Sequence, residues 1–294
     1  MKYSCLHTHT IFCDGHADVE SFCQRAWEKG LCSLGFSSHA PIVKKTGFPE
    51  NSWNMREDLL EEYIETVQAA KRRWEGRLDI FLGLEIDYIS GLMGPSDKDY
   101  QEMGLDYIIG ALHYLLPARG APFTVDASLE EVEQAIKDSY GGDPLAMVEA
   151  YWDSLEDLIR SGGFDILAHL DVIRKNNSQN RLFSEDSQSY REKIVKIAAL
   201  AGEHKIIIEV NTGGMNRGRI TSPYPSQPFL KLFRENNVPG IITADAHNPE
   251  DLDGHYPEAQ AALLAAGYKK TLFFEGKKDG RPLWREEALE NYVL

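Results

Sequence analysis

His7 and His9 stand two residues apart at the end of the run KYSCLHTH, residues 2–9. In an extended strand that spacing sends both side chains to one face, where two imidazoles can reach a single cation. An HxH pair alone fits equally well with two histidines packed against a strand end. Other apolar runs repeat the pattern: His39 ends CSLGFSSH, Glu85 lies in LDIFLGLEIDYI, His113 falls near the end of LDYIIGALHY, His169 lies in FDILAHLDVI, and Asp245 with His247 closes PGIITADAH. A lone histidine in such a run is more often a hydrogen-bonded core residue. Six strands aiming such groups at one mouth form a different pattern. Gathered imidazoles and carboxylates without matching basic residues are costly unless cations compensate them, and this donor mixture suits Zn, Fe or Mn better than Ca or Mg. Bound transition metals are the physical implication.

These groups need strands to position them. Besides the six runs above, KIIIEVNT (205–212) reads as a strand, with KKTLFFEG (269–276) as a weaker eighth candidate. Helical spacing of apolar residues fills the gaps at 18–29, 56–74, 146–159, 187–203, 227–235 and 257–266. Strand followed by helix, repeated about seven times, implies a parallel sheet, and closure into a barrel buries both of its faces. The polar residues collect at the C-terminal strand ends, where barrel enzymes place their chemistry. No linker or repeat interrupts the 294 residues, so residues 1–294 are expected to form a single α/β barrel domain.

With 31 Lys and Arg against 46 Asp and Glu, the formal charge of −15 disfavours nucleic acid as a partner. The start lacks a signal-peptide pattern and no stretch approaches the ~20 apolar residues that span a bilayer, so no membrane partner and a cytoplasmic location are expected. Cys5, Cys13, Cys23 and Cys32 match neither a disulfide scaffold nor a paired CxxC site and read as free thiols. A monomer is the default expectation.

HTHTIFCDG, SSHAP at 37–41, GLEIDY at 83–88, GALHY at 110–114, AHLD at 168–171 and ADAHNP at 244–249, in this order, resemble the PHP (polymerase and histidinol phosphatase) superfamily. They are most similar to its histidinol-phosphate phosphatase branch. The resemblance implies a distorted (β/α)7 TIM-like barrel and a site of two or three divalent metals. It places His7, His9, Glu85 and Asp245 on the first metal, and Glu85, His113 and His169 on the second, with Glu85 bridging. His39 and His247 would hold a third with Asp14, or with His16 as the alternative.

Such ions can share a hydroxide of lowered pKa and clamp phosphoryl oxygens as charge builds. Neither a serine nucleophile elbow nor a GxxxxGK[ST] loop occurs, leaving hydrolysis by activated water. Phosphate binding calls for basic groups near the mouth. Candidates are Arg174 and Lys175 after the fifth strand, and Arg217 and Arg219 in the loop NTGGMNRGRITSPYPS after the sixth, although either arginine also fits a solvated loop charge. His247 counts among the reacting groups as well as the ligands. Asp171 shares a face with His169 and could orient it or protonate the leaving alkoxide, or simply pair with Arg174. His204 and His255 are assigned to structure and to an exposed loop. The segment from Leu115 to Gly142 exceeds a minimal connection and suits a lid. Trp53, Tyr114 and Phe123 could contact an imidazole ring. The leading expectation is therefore hydrolysis of L-histidinol phosphate, a small-molecule phosphate monoester. A nuclease or nucleotide phosphoesterase of the same superfamily is the second, and a metal-binding protein without turnover the third.

Overall fold

The computed structural model describes residues 3–42, 48 and 51–291; Lys2, where the first expected strand begins, lies outside them. The strands are β1 (Tyr3–Cys5), β2 (Leu31–Phe36), β3 (Asp79–Asp87), β4 (Tyr107–Ala111), β5 (Tyr114–Leu115), β6 (Phe123–Thr124), β7 (Ile166–Leu167), β8 (Ile207–Asn211), β9 (Gly240–Thr243), β10 (Lys270–Lys278) and β11 (Arg281–Ala288). The α-helices are α1 (Val19–Glu28), α2 (Leu60–Arg73), α3 (Lys98–Gln101), α4 (Leu129–Ser139), α5 (Pro144–Ser161), α6 (Gln188–Glu203), α7 (Gly213–Asn216), α8 (Gln227–Glu235) and α9 (Tyr256–Ala265).

Seven strands form one parallel sheet in the order β1-β2-β3-β4-β7-β8-β9. Beyond the outer strands, Ala246 N donates to His7 O at 3.0 Å and His9 N to Ala246 O at 2.9 Å, so the sheet nearly closes into a barrel. Helices cover it because their apolar residues fall on one stripe. In α1 the buried Val19, Phe22, Cys23 and Ala26 follow i, i+3, i+4, i+7, and the Asp18 carboxylate caps the helix by accepting from Ser21 N at 2.7 Å.

Strand periodicity sorts the barrel interior into levels. Phe81, Tyr107, Ile109, Ile166, Ile207 and Ile241 form an inner apolar cluster, while their neighbours Ile108, Leu167, Ile208 and Ile242 pack outward beneath the helices. Two to six residues further along three of these strands the inward positions turn polar: Phe81 gives way to Glu85 and Asp87, Ile207 to Glu209 and Asn211, and Ile241 to Thr243 and Asp245. The Tyr107 ring crosses the interior and its hydroxyl donates to Leu6 O at 2.5 Å. Gly35 and Gly83 leave room for it, since a Cβ at either would lie under 3 Å from the ring.

KKTLFFEG is a strand, but it pairs antiparallel with β11 outside the barrel sheet. Phe274 of this hairpin joins the inner cluster with Trp284 packed against it, closing the end of the barrel opposite the histidines. The segment from Leu115 to Gly142 holds the β5–β6 pair and α4, whose capping box joins Ser128 and Glu131. No helix among the described residues is long and apolar enough to cross a membrane. All four cysteines are free.

Candidate metal centre

Glu85 sits on β3, 1 % exposed, at the level where the inward positions become polar. Its Oε2 lies 3.2 Å from His7 Nε2, 3.5 Å from His9 Nε2 and 3.0 Å from His39 Nδ1. Its Oε1 lies 3.1 Å from His169 Nε2 and 3.8 Å from His113 Nε2. One buried carboxylate thus meets five imidazoles delivered by four strand ends, two of them from β1. Asp245 closes the far side, with Oδ1 at 3.1 Å from His9 Nε2 and 3.8 Å from His7 Nε2. Asp245 has the left-handed φ of 47°, a conformation that a non-glycine residue holds only when its surroundings enforce it. Gly213 gives its carboxylate room: a Cβ there would lie 2.6 Å from Asp245 Oδ2.

Among the described residues, four groups of donor atoms have the compactness to hold an ion. His7, His9 and Glu85 form one; Glu85, His113 and His169 form the next; His9, Asp14, His39 and His247 form a third. Asp14 Oδ2 is 3.1 Å from His247 Nε2, and Oδ1 is 3.8 Å from His39 Nε2. His16 is exposed at the pocket wall and belongs to none of these groups; its backbone amide donates to His247 O at 2.8 Å. The fourth group joins His39, Asp87 and His113, but Asp87 Oδ1 already accepts from His113 Nδ1 at 2.8 Å. Asp87 therefore orients His113, turning its Nε2 toward Glu85 and His169.

The donor set fits cations on its own hydrogen bonding. His7 Nε2, His9 Nε2, His39 Nδ1, Asp14 Oδ1 and Glu85 Oε2 are buried and have no hydrogen-bond partner, an expensive condition for polar atoms that converge on one another. The electrostatics agree. Burial opposes charge on His7, yet Glu209, Glu85 and Asp245 outweigh it and raise its pKa well above the ordinary value. Burial, followed by His247 and His39, holds His9 down at about 3. At His113, Asp87 and Glu85 overcome burial and push the ring up to about 10. Glu85 stays far below the usual carboxylate range, because His39, His7 and His113 more than offset burial.

Glu209 and Asp87 are the residues that sequence reasoning missed. Glu209 is fully buried on β8; its Oε1 lies 2.5 Å from His7 Nδ1 and accepts from Thr243 Oγ1, while Oε2 accepts from His169 N at 2.8 Å and Asn211 Nδ2 at 2.9 Å. A carboxylate beside Nδ1 places the ring proton there and leaves Nε2 bare for the centre. The available signal was a lone acid inside KIIIEVNT, on the inward face of an apolar strand.

A cavity of about 430 Å³ opens over the centre. Arg217, Arg219, Lys175, Tyr224 and Trp53 line it along with the metal-type donors. Arg217 Nη2 is 2.9 Å from Asp245 Oδ2 and its Nη1 donates to Asp245 O at 3.1 Å. Asp171 and Arg174 do not reach the wall: Asp171 is fully buried, and its Oδ2 accepts from Arg174 Nη1 at 3.1 Å and Ser226 N at 2.8 Å. Arg174 turns to Glu185 as well, so neighbouring Lys175 is the residue that faces the cavity. Trp53 presents its edge to His39 at 4.9 Å and stacks on Tyr114 at 5.2 Å; Phe123 packs on Tyr140 instead. The excursion after β4 contributes Thr124, Asp126 and Ala127 to the wall. His255 is exposed and pairs with Glu258.

A family model described as PHP domain matches residues 6–213. A Deinococcus radiodurans protein named "Probable histidinol-phosphatase" is 29% identical over 270 residues, 91% of this chain and 95% of its own. A solved Listeria monocytogenes chain, offered as a histidinol phosphatase, superposes with a TM-score of 0.76 at 24% identity, covering 86% of this chain and 98% of its own. A Lactococcus lactis histidinol phosphate phosphatase, solved with Zn, L-histidinol and phosphate, gives a TM-score of 0.65 at 16% identity over 94% of this chain and 99% of its own. Both structures share the barrel.

Proposed function

Because the chain belongs to the PHP domain family, we propose that it is a metal-dependent phosphomonoesterase that hydrolyses L-histidinol phosphate to L-histidinol and phosphate. One observation carries this: five buried imidazoles surround a single carboxylate, Glu85, and atoms on both sides have no hydrogen-bond partner. The names of relatives that span nearly the whole chain point to the same reaction.

On this proposal His7, His9, Glu85 and Asp245 hold one divalent ion, Glu85, His113 and His169 a second, and His39, His247 and Asp14 a third, with Zn, Mn or Fe as occupants. Bound there, such ions supply an activated water and positive charge for the phosphoryl oxygens. Glu209 and Asp87 fix the tautomers of His7 and His113 so that each presents Nε2. Arg217, braced by Asp245, and Arg219 offer guanidinium forks for phosphate, and Lys175 adds an ammonium to the same wall. Trp53 supplies an aromatic edge beside His39 against which an imidazole ring can pack. The hairpin packed into the barrel base supports treating residues 1–294 as one domain.

The test is phosphate release by protein stripped of metal and reconstituted separately with Zn, Mn or Fe(II). Substrates are L-histidinol phosphate, a nucleotide monophosphate, a 3′,5′-bisphosphate and a short oligonucleotide. Metal-restored turnover of histidinol phosphate alone is expected. Turnover of only the nucleotide substrates would overturn the substrate, and no turnover of any would overturn catalysis.

A further inference from the structure

Four carboxylates line the cavity: Asp14, Glu85, Asp126 and Asp245. Three of them stand among the imidazoles of the metal-type groups, and Asp126 does not. It comes from the excursion after β6, not from a barrel strand end. Lys175 Nζ holds it from one side, donating to the Asp126 backbone oxygen at 2.5 Å and to Oδ2 at 3.2 Å. Its other oxygen, Oδ1, accepts no hydrogen bond from the described residues.

Lys175 pairs with Oδ2 and leaves Oδ1 without a hydrogen bond, so a carboxylate oxygen in this wall remains an unfavourable neighbour for a generic phosphate monoester, which arrives as a dianion. Across a low-dielectric pocket like charges repel, so Asp126 penalises any substrate that brings only its phosphate. The same carboxylate becomes favourable if the substrate carries a cation near the ester oxygen. We propose that Asp126, steadied by Lys175, is the specificity-determining residue that recognises the ammonium group of an amino-alcohol phosphate and rejects amine-free monoesters. The inference deepens the substrate proposed above and rests on it.

Two substrate pairs test it, each an amine-bearing monoester beside its amine-free counterpart: L-histidinol phosphate with 3-(imidazol-4-yl)propyl phosphate, and O-phosphoethanolamine with ethyl phosphate. In both amine-bearing members the nitrogen sits two carbons from the ester oxygen. Asp126→Asn keeps the size and the backbone contact to Lys175 while removing the charge. The expected result is a fall in kcat/KM of roughly 10- to 100-fold for the amine-bearing members, carried mainly by KM, with the amine-free members unchanged or improved. Asp126→Glu should restore part of the preference. In a second readout free of turnover, calorimetric binding of L-histidinol should weaken in Asp126→Asn, and binding of 3-(imidazol-4-yl)propanol should not. An equal fall on both members of each pair would overturn the proposal in favour of a general-acid or purely structural role, and an unchanged ratio would overturn it outright. If the wild type ignores the histidinol pair but turns over other esters, the assigned substrate fails, and the ethanolamine pair still decides Asp126.

Discussion

The two ends of the barrel are made by the same seven strands and solve opposite problems. At the base, Phe274 from the β10–β11 hairpin packs against Phe81 and Tyr107 with Trp284 behind it, in one cluster with Leu6 and Ile207, an apolar plug with no need of a ligand. At the mouth, Glu85, Glu209, Asp245 and six histidines are buried or nearly so, and several of their atoms find no partner in the protein. The base contributes stability through removal of apolar surface from water. The mouth holds polar groups whose burial is compensated only in part by the chain itself, and is arranged for something that binds. The contrast teaches that stability and chemistry are separable here along the strand axis, a few residues apart on each strand.

The sharpest way to break that separation is at Glu85. Glu85→Ala should lower kcat by roughly 1,000-fold or more, because it removes the carboxylate shared by five imidazoles. Bound metal should fall in parallel, while the circular dichroism spectrum stays native. Normal turnover at reduced metal content would sink the centre. At the other end, Phe274→Ala should cost about 3–5 kcal/mol of stability in denaturant titration, with kcat of the folded fraction unchanged. A large loss of kcat without loss of stability would show that the ends are coupled.

Glu209, behind His7 at the mouth, sharpens the comparison. Glu209→Gln should weaken metal binding about 10- to 100-fold in chelator competition, since His7 loses the carboxylate that sets its tautomer. Unchanged affinity would reduce Glu209 to a packing residue. The smallest effect concerns Cys13, whose thiol is pushed up to about 11 by burial first and then by Asp14. At pH 8 roughly one thiol in a thousand is ionised, so iodoacetamide should leave Cys13 unmodified in native protein, as peptide mass spectrometry would show. Fast alkylation would mean that the mouth opens more readily than its packing suggests.

Much of this was legible in residue types and spacing. The seven parallel strands follow from the apolar runs, and His7, His9, His39, Glu85, His113, His169, Asp245 and His247 do meet at one mouth. What escaped had weak or ambiguous local signals. The helix at 129–139 carried a capping-box pattern, Ser128 with Glu131, but sat inside a segment read as a lid. KKTLFFEG, the weaker eighth candidate, is a strand, but its antiparallel partner β11 escaped, because a half-buried antiparallel strand and a parallel one share composition. Arg174 and Lys175 are adjacent in sequence yet face different surroundings, because a 3-10 turn separates their directions.

By itself the sequence determined the period-2 placement of ligating groups on strands and the alternation that wraps those strands in helices. Both follow from short-range geometry, since each side chain's face depends on its own few neighbours. Only the tertiary structure decided that Glu85 meets five histidines, that Glu209 and Asp87 stand behind His7 and His113, that Asp14 and not His16 enters the third group, and that Asp126 faces the cavity. Those relations join residues tens to hundreds of positions apart, and their distances follow from barrel closure and loop packing, which no local spacing encodes.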